Sequence, residues 1–410
     1  LWPFRPVLFL TEMGGGQYAI DLQSGEYLYE ITPDMARAAA RQYANQSGSG
    51  TVTQSEGMVE SDQWTVTGYF NNLRPFYKYR IFDGDGTRLY VSAVTGEVVQ
   101  ETRRAERFLN WGGAVIHWLY PSIIRQHQTL WYWTVVSLSI IGLFLTLTGL
   151  YIAIRYLQLK KGKPLSPYSG LGMWHHYIGL AFGILTLTWV GSGLLSMQPW
   201  GLLEGRSTAF ERAAVQRDGQ MLFDQQFRDQ LRGLQGADLG GDVVWIEFSK
   251  ADGAIGAILY NKSGDAVRYD PTTWLPDSLN DFYFEQVAER IKPENEIREA
   301  VWIEQQDNYY YSLKSNVRLP VYRVTYDDGE IAYFDNVTGE LVHLMDSQRK
   351  WYRWLFNGFH SLDFTAGLRQ RPVWDFVVWL LLGGVTAGAI TGTWLGYQRL
   401  TGTRDYSDTR

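Results

Sequence analysis

The amino-acid sequence predicts an α-helical membrane protein with three spanning helices and two α+β domains on one side of the membrane, built by internal duplication. Three observations support this prediction: three long uncharged stretches, a short basic loop between the first two, and a segment that occurs twice. YRIFDGDGTRLYVSAVTGEVV (Tyr79–Val99) aligns with YRVTYDDGEIAYFDNVTGELV (Tyr322–Val342), and ten of the twenty-one positions are identical. A repeat of this kind indicates that the chain contains two copies of one structural unit. The same offset of 243 residues aligns Trp111 with Trp354, His117 with His360, Trp131 with Trp374, and Thr148-Gly149 with Thr391-Gly392.

The three uncharged stretches are long enough to cross a bilayer, which requires about 20 apolar residues. They are Gln128–Ile154, Tyr177–Trp200 and Phe376–Tyr397, and each has tryptophan or tyrosine near its ends. The 17 tryptophans and 26 tyrosines of the chain are typical of side chains that lie at membrane interfaces. The mean hydropathy of −0.21 indicates that much of the remaining chain lies in water.

The orientation follows from the positively charged residues beside the predicted spans, because basic loops stay in the cytoplasm. These are Arg155, Lys160, Lys161 and Lys163 in the loop after the first span, and Arg399 and Arg404 after the third. The two large segments, 1–107 and 204–347, are therefore expected outside, in the periplasm of a bacterium. The protein is accordingly expected in the bacterial inner membrane.

Both large segments have the pattern of α+β domains, because strand-like runs end in the turn signals SerGly, AspGly and ThrGly. Tyr27–Tyr43 has a helical pattern in which Pro33 fits a first helical turn after Thr32. Leu279–Ile291 is its counterpart. In each unit a hairpin of the form YRxxxxDGxxxYxxxVTGExV follows the helix.

The predicted domains alternate between outer segments and spans. They are 1–107 (first outer domain), 108–157 (interfacial segment and span), 158–170 (cytoplasmic loop), 171–200 (span), 201–347 (second outer domain), 348–400 (interfacial segment and span) and 401–410 (cytoplasmic tail). In the second copy a span precedes the outer domain, whereas the first copy starts with its outer domain. We therefore expect a further helix ahead of Leu1 in the complete gene product, with a partner subunit that supplies this helix as the alternative.

Composition excludes several classes of function. The net charge of −6 and the pI of about 5.6 argue against nucleic acid as a partner. The absence of cysteine excludes disulfides, iron–sulfur clusters and covalently attached haem. The sequence contains no GxSxG, HExxH or P-loop pattern. A redox centre would therefore need histidine, and the six histidines are at positions 117, 127, 175, 176, 343 and 360.

Four motifs resemble one known family. The helix and hairpin ending in DGxxxYxxxVTGE resemble a PepSY domain, and WHHYIGL (Trp174–Leu180) resembles the HRWLGL-type opening of a family helix. Ile116-His117 and Gly358-Phe359-His360 resemble the family's histidine ahead of a helix that ends in a ThrGly pair. The four motifs cover nearly the whole chain, which is similar to the PepSY-associated transmembrane family. That family includes iron-regulated membrane proteins and periplasmic ferric-siderophore reductases.

The resemblance implies four helices around two b-type haems, with PepSY domains outside. Two features depart from the family pattern. The first helix, with its own histidine, is not in this sequence. Pro121 and His127 align with Phe364 and Gln370, so they have no equivalents in the repeat.

Haem b requires two axial imidazoles, and a histidine beside an apolar span is a functional candidate by default. His117 and His360 precede spans that run inward, so we expect them to hold one outer haem. We expect His175 to hold an inner haem with the histidine of the absent helix. Its neighbour His176 is the alternative ligand, and whichever of the two does not ligate is expected to contact a propionate or a lipid headgroup. His127 is an alternative ligand or propionate contact at the outer side. His343 is expected at the surface.

Basic clusters precede both outer histidines. They are Arg103, Arg104 and Arg107 before His117, and Arg349, Lys350 and Arg353 before His360. Such cations can pair with haem propionates or an anionic substrate, or anchor the chain to lipid headgroups. The glycines and serines of the three spans allow close helix approach, and they leave room for a flat macrocycle.

The sequence thus predicts transmembrane electron transfer through one or two b-type haems. A cytoplasmic or quinol donor would supply electrons, and a periplasmic acceptor, most plausibly a ferric siderophore or another ferric chelate, would receive them. The activity would be that of a haem-dependent oxidoreductase resembling ferric reductases. One alternative is a haem-bearing subunit of a larger respiratory or reductase complex. Another is a haem-free PepSY membrane protein that binds or regulates a partner. The sequence does not identify the acceptor, the donor or the oligomeric state.

Overall fold

The computed structural model describes residues 7–11, 17–21, 27–28, 30–48, 51–216, 227, 229–230, 242–251, 253–312 and 317–402. The described chain forms two compact units, residues 1–135 and 136–410. Their boundary falls within the first long apolar helix. Arg404, one of the basic residues after the third predicted span, lies outside the described residues.

The first unit contains two small antiparallel sheets. The strands β1 (Val7–Thr11), β2 (Gln17–Asp21) and β3 (Tyr27–Leu28) form the first sheet in that order. The strands β4 (Thr51–Val59), β5 (Phe76–Phe82), β6 (Arg88–Ser92) and β7 (Val98–Thr102) form the second. Helix α1 (Pro33–Gln46) connects them. The helix begins at Pro33, the residue predicted for its first turn, whereas Tyr27 and Leu28 pair with β2.

Helix α1 begins where the sequence predicts its capping signal. The Thr32 side chain accepts a hydrogen bond from the Met35 backbone N–H, and Pro33 occupies the first turn, where its missing N–H costs nothing. The helix packs on the sheet through a face of small side chains. These are Ala36, Ala39, Ala40 and Ala44, which lie against Tyr79, Ile81, Leu89 and Val91. Alanines at this spacing bring the helix close to the strands.

The second unit contains the corresponding elements after its own membrane helices. The strands β8 (Val243–Ala251), β9 (Ala254–Asn261) and β10 (Ala266–Tyr269) form one antiparallel sheet, and helix α7 (Asp281–Ile291) follows. The strands β11 (Ile297–Ile303), β12 (Val321–Tyr326), β13 (Ile331–Asp335) and β14 (Leu341–Met345) form the other sheet. Helix α7 packs on it through Tyr283, Phe284, Val287 and Ala288.

The two four-stranded sheets agree in detail. Strands β6 and β13, and strands β7 and β14, are offset by 243 residues at both ends. The ladder is irregular at the same place, between Tyr90 and Val91 in one sheet and between Tyr333 and Phe334 in the other. A bulge shared at equivalent positions shows that the repeated sequence specifies the same strand register twice.

Three helices are long and apolar enough to cross a membrane, which supports a membrane protein with separate β-sheet regions. They are α4 (Gln128–Arg155), α5 (Gly170–Ser196) and α11 (Val373–Leu400). A helix of 28 residues is about 42 Å long, more than the roughly 30 Å of hydrocarbon in a bilayer.

Helix α5 differs from the predicted span Tyr177–Trp200. It begins at Gly170, one residue before the start of the predicted domain 171–200, and it ends at Ser196, before the predicted limit at Trp200. The end is sharp because Gln198 and Trp200 have left-handed backbone conformations, with φ of 49° and 57°. As a result His175 and His176 lie inside the helix, and their backbone positions are fixed by its hydrogen bonds.

Shorter helices complete the description. They are α2 (Arg104–Asn110), α3 (Ser122–Arg125), α6 (Ala209–Gln216), α8 (Ser347–Tyr352), α9 (Phe359–Ser361) and α10 (Ala366–Arg369). Helices α2 and α8 each lead into a short π-helix, Trp111–Val115 and Arg353–Gly358. These π-helices precede His117 and His360.

Candidate functional site

His175 lies in α5 and contacts α11. Its Nδ1 atom is 3.0 Å from the Thr391 hydroxyl oxygen. The same hydroxyl oxygen lies 2.8 and 3.0 Å from the carbonyl oxygens of Ala387 and Gly388, which can accept its single hydrogen. With the hydrogen directed there, the imidazole donates from Nδ1, and its Nε2 atom carries the lone pair.

Three glycines of α11 allow this contact. A Cβ atom added to Gly392 would lie 2.9 Å from His175 Cε1, and one at Gly388 would lie 3.2 Å from Ile178. At Gly384 the distance to Phe182 would be only 2.4 Å. Glycines spaced four residues apart lie on one helix face, and they let two helices approach closely. The close packing of α5 on α11 thus depends on the absence of these side chains.

His360 follows the π-helix Arg353–Gly358 and lies against the outer part of α5. Its Nδ1 atom is 3.2 Å from the Trp189 carbonyl oxygen and 3.1 Å from the Ser192 hydroxyl oxygen. A carbonyl oxygen can only accept, so Nδ1 carries the hydrogen here as well. The ring also packs on Phe356, with 5.1 Å between centroids, and Cε1 lies over Gly193. His360 and His175 therefore share one tautomer.

His176 has the opposite arrangement. Its Nε2 atom is 2.8 Å from the Ala153 carbonyl oxygen, and Nδ1 is 2.9 Å from the Ser166 hydroxyl. The side chain is only 5 % exposed, and both nitrogens have protein partners. His176 connects α5 to the end of α4 and to the following loop. Of the two adjacent histidines, His175 has the geometry that suits a ligand.

His175 and His360 lie near opposite ends of α5. His360 contacts Ser192, which is 17 residues (192 − 175) beyond His175. At about 1.5 Å per residue, this separates the two levels by about 25 Å. The two imidazoles therefore cannot ligate the same iron.

His117 and His127 belong to the first unit. Both side chains are exposed, and the His127 Nε2 atom lies 3.5 Å from the Gln126 side-chain amide nitrogen. His127 immediately precedes α4, and its carbonyl oxygen accepts the Trp131 backbone N–H at 2.9 Å. The prediction that His117 shares a haem with His360 stays a prediction. His343 is exposed in β14, opposite Tyr333.

The backbone around His117 is repeated around His360. Two residues after each histidine, Leu119 and Leu362 have left-handed conformations with φ of 52° and 56°. The Trp131 indole N–H donates to the Trp118 carbonyl at 3.0 Å, and the Trp374 indole N–H donates to the Ser361 carbonyl at 2.8 Å. Left-handed leucine is uncommon, so its occurrence at both positions indicates a conserved local fold that presents each histidine in the same way.

Three residues of the basic clusters, Arg107, Lys350 and Arg353, donate hydrogen bonds to backbone carbonyl oxygens of the sheet-containing domains. Arg107 donates to the Gly86 carbonyl at 2.9 Å, and Lys350 donates to the Gly329 carbonyl. Both glycines lie in the hairpin turn between two strands, at equivalent places of the repeat. Arg353 is buried, donates to the Asn308 carbonyl at 2.8 Å and lies over the Trp354 ring. These contacts connect each outer sheet to the helix that leads into the membrane.

Each outer sheet also contains a tyrosine–aspartate pair. Tyr90 donates to Asp62 at 2.7 Å, and Tyr333 donates to Asp307 at 2.8 Å. Burial alone would raise the pKa of Asp62, but hydrogen bonds from Lys78, the Trp64 backbone and Tyr90 outweigh it, so the pKa lies below its usual range. Burial and the neighbouring carboxylate raise the pKa of Tyr90, and the same causes raise that of Tyr333. The first pair therefore stabilises its sheet as an ionised Asp62 and a neutral Tyr90.

The partners of the histidines could not be predicted from the sequence. Thr391 and Gly392 stood out as a repeated pair, but no role followed from the repeat alone. Ser192 and Gly193 were noted only as small residues that help helices pack. Ser166 gave no signal, because its contact with His176 depends on a loop conformation.

Within the described ranges, no group of three His, Asp or Glu side chains comes together in a way that could hold a metal ion. His175 and His360 instead present single imidazoles whose Nδ1–H is held by a protein acceptor, the usual outer hydrogen bond of a metal-bound histidine. Comparison with family models, with curated proteins and with solved structures returned no match.

Proposed function

We propose that this protein transfers electrons across the bacterial inner membrane through b-type haem and reduces a ferric chelate on the periplasmic side. The outer units would lie in the periplasm and the loop after α4 in the cytoplasm. A quinol or a cytoplasmic reductant would supply one electron for each ferric ion that becomes ferrous. The motifs that resemble the PepSY-associated transmembrane family support the same assignment.

The observation that carries the proposal is the position of the Nδ1 atoms of His175 and His360, because both lie within hydrogen-bond distance of an oxygen atom on a neighbouring helix. A ring that donates from Nδ1 has its lone pair on Nε2, the atom that would ligate iron. His176 has the reverse tautomer, although it is adjacent to His175 in the same helix. A purely structural role would not require the same tautomer at two unrelated contacts.

The position of the two rings supports transfer in steps. One lies near each end of α5, at levels about 25 Å apart, in a helix long enough to span the roughly 30 Å of hydrocarbon. Bound haem supplies the one-electron redox chemistry. The protein residues position it, exclude water around it and set its potential through the hydrogen bonds to the imidazoles.

Thr391, Ser192 and the Trp189 carbonyl fix the orientation of the two rings. A metal-bound histidine becomes more basic when its other N–H is hydrogen-bonded, and loss of that bond typically weakens metal binding by about 10–100-fold. Gly392 and Gly193 provide the space in which the rings lie. Substitutions of Thr391 and Ser192, which orient the rings, therefore test the proposal as directly as substitutions of the two histidines.

The proposal is tested with the absorption spectrum of the purified protein before and after dithionite. We expect a b-type α-band in the reduced protein. His175→Ala and His360→Ala should each remove the signal of one haem, whereas His176→Gln should retain both, because an amide can replace both hydrogen bonds of that ring. His117→Ala tests the predicted partner of His360.

Two results would overturn these assignments at different levels. If the reduced protein reconstituted with haem shows no α-band, the electron-transfer proposal fails. If the band is present but full haem content survives in His175→Ala and His360→Ala, the class of protein stands and the ligand assignment is wrong.

Reduction of a ferric chelate is measured by trapping ferrous iron outside vesicles that contain the protein and an internal reductant.

A further inference from the structure

Helix α2 has a face that combines positive charge with aromatic surface. Arg104, Arg107, Phe108 and Trp111 fall within about 100° of the helix circumference, since consecutive residues differ by about 100°. Helix α2 is described in full, and none of its residues is buried. Phe108 is 78 % exposed, and Trp111, at the start of the following π-helix, is 45 % exposed. We call these four residues the α2 face.

The positive charges of the α2 face are crowded. The Arg104 guanidinium lies beside Gly86, where an added Cβ atom would be 3.1 Å from its Nη2 atom. Arg107 donates to the carbonyl oxygen of the same glycine at 2.9 Å. Burial and the charges of Arg88 and Arg104 lower the pKa of Arg107. An anion between these guanidiniums would relieve their mutual repulsion.

The two arginines of the α2 face have no acidic partner within the part of the chain that the structure describes. No carboxylate there lies within 4.0 Å of the Arg104 or Arg107 guanidinium. Arg107 donates instead to neutral backbone oxygens. The neighbouring Arg103 does have an acidic partner, because its Nε atom lies 3.0 Å from a Glu101 carboxylate oxygen. The α2 face is therefore suited to an anion that the described residues do not supply.

In the second copy the equivalent charges are neutralised by the chain itself. The offset of 243 residues pairs Arg103 with Asp346, so a carboxylate stands there in place of an arginine. Asp346 forms an ion pair with Arg349 at 2.9 Å. Arg353 forms a buried ion pair with Asp363 at 3.4 Å. The cations before His360 thus stabilise the fold, whereas those of the α2 face remain available.

The aromatic side chains of the two copies differ in the same sense. Trp354 donates its indole N–H to the Tyr309 hydroxyl at 3.3 Å, and the Arg353 guanidinium lies 4.5 Å from its ring centroid. Its equivalent Trp111 keeps nearly half of its surface exposed, and Asn110 stands in place of Arg353. The repeated backbone therefore carries a packed surface in the second copy and an open one in the first.

The α2 face lies close in the chain to the start of a membrane helix. Helix α4 begins at Gln128, and its first turns belong to the same compact unit as α2. The indole N–H of Trp131 in α4 donates to the Trp118 carbonyl at 3.0 Å, which holds the intervening segment against the helix. Tryptophan is enriched at the level of the lipid headgroups, and guanidinium groups bind phosphate oxygens in a bidentate manner.

We infer that the α2 face binds the phosphate of an anionic phospholipid, such as phosphatidylglycerol, in the leaflet where α4 begins. Arg104 and Arg107 would donate to the phosphate oxygens, while Phe108 and Trp111 lie beside the first carbons of the acyl chains. A zwitterionic lipid would bind less strongly, because its own cationic group opposes the two guanidiniums. The inference rests on the membrane helices and does not require haem.

The test compares two equivalent exposed positions, one in each copy, and the chain has no cysteine of its own to interfere. Ala105→Cys and Gln348→Cys are each labelled with bimane, and the protein is placed in phosphatidylcholine nanodiscs. Quenching is measured with acyl-chain spin-labelled phosphatidylglycerol and with the matching phosphatidylcholine. At Ala105→Cys the anionic lipid should associate at least about fivefold more strongly, the effect expected from one arginine near a lipid surface. At Gln348→Cys the two lipids should quench to similar extents.

Two arginine variants in the Ala105→Cys background identify the charge that is responsible. Arg104→Gln should reduce the preference for the anionic lipid by about fivefold, whereas Arg104→Lys should keep most of it. Arg41→Gln removes the same charge from the exposed surface of α1 and should have no effect. Arg107 is left unchanged, because its hydrogen bond to Gly86 also holds α2 on the sheet. In 1 M salt, where screening acts over about 3 Å, the preference should largely disappear.

Four results would overturn the inference. Equal quenching by both lipids at Ala105→Cys means that the α2 face touches lipid without a headgroup site. The absence of quenching by either lipid means that it lies away from the bilayer. An equal preference at Gln348→Cys, or equal effects of Arg104→Gln and Arg41→Gln, means that only the net charge of the protein matters. None of these results bears on the spectroscopic test of haem.

Discussion

The contact between Gly392 and His175 allows a quantitative prediction for one methyl group. In Gly392→Ala the new Cβ atom would lie 2.9 Å from His175 Cε1, whereas ordinary contacts begin at 3.4 Å. The ring must therefore retreat by about 0.5 Å, which lengthens the 3.0 Å bond to Thr391 to about 3.5 Å, the limit of a hydrogen bond. Overpacking of this kind costs about 1–3 kcal/mol, and the weakened hydrogen bond adds about 1 kcal/mol.

Gly149→Ala is the matched control, because Gly149 is the equivalent position and has no neighbour within 4 Å among the described residues. In the 410-residue chain this change should be neutral or stabilise α4 by up to about 1 kcal/mol, since alanine is the better helix former. The two variants, titrated with sodium dodecyl sulfate in mixed micelles and followed by tryptophan fluorescence, should thus differ in sign.

The haem signal gives a second measurement of the same contact. Displacement of the His175 ring should weaken one of the two haem signals in Gly392→Ala and leave the other unchanged. If Gly392→Ala is as stable as Gly149→Ala in the 410-residue chain and retains its full spectrum, the packing of His175 on α11 does not have the geometry described above.

Three further changes test other parts of the structure. Thr391→Val should keep the shape of α11 but remove the acceptor for His175, so haem affinity should fall by about 10–100-fold. The matched control Thr148→Val should leave haem affinity unchanged. Equal effects of the two variants would contradict the role of Thr391. Asp62→Asn should destabilise the first outer unit by about 2 kcal/mol. Because the folded pKa of Asp62 is lowered, its stabilisation is complete above about pH 4, the value for unfolded aspartate, and is lost as the pH falls through the folded pKa. Urea unfolding between pH 2 and 6 should show this slope in the unaltered protein and a weaker one in Asp62→Asn. Lys350→Met should loosen the second outer sheet from α8 and speed amide hydrogen exchange around Gly329, and Lys262→Met, a surface change, should not.

Local features of the sequence were sufficient to predict the three candidate spans. The three hydrophobic runs, the cap at Thr32 and the hairpin repeat depend on neighbouring residues, so they could be predicted from composition and periodicity. One helix limit was wrong: the second span was predicted to end at Trp200, but α5 ends at Ser196, just before the left-handed Gln198. Such ends depend on backbone contacts that hydropathy does not record.

The candidate site likewise has features that the sequence predicts and features that only the tertiary structure shows. The sequence alone determined that the histidines deserve attention, because a scarce polar residue recurs at equivalent places beside apolar spans. Only the tertiary structure distinguished His175 from His176, since the two are adjacent in sequence and chemically identical. Their tautomers are set by Thr391, 216 residues away, and by the Ala153 carbonyl, 23 residues away. A hydrogen bond between distant segments depends on how helices pack, and that packing is decided by the whole fold.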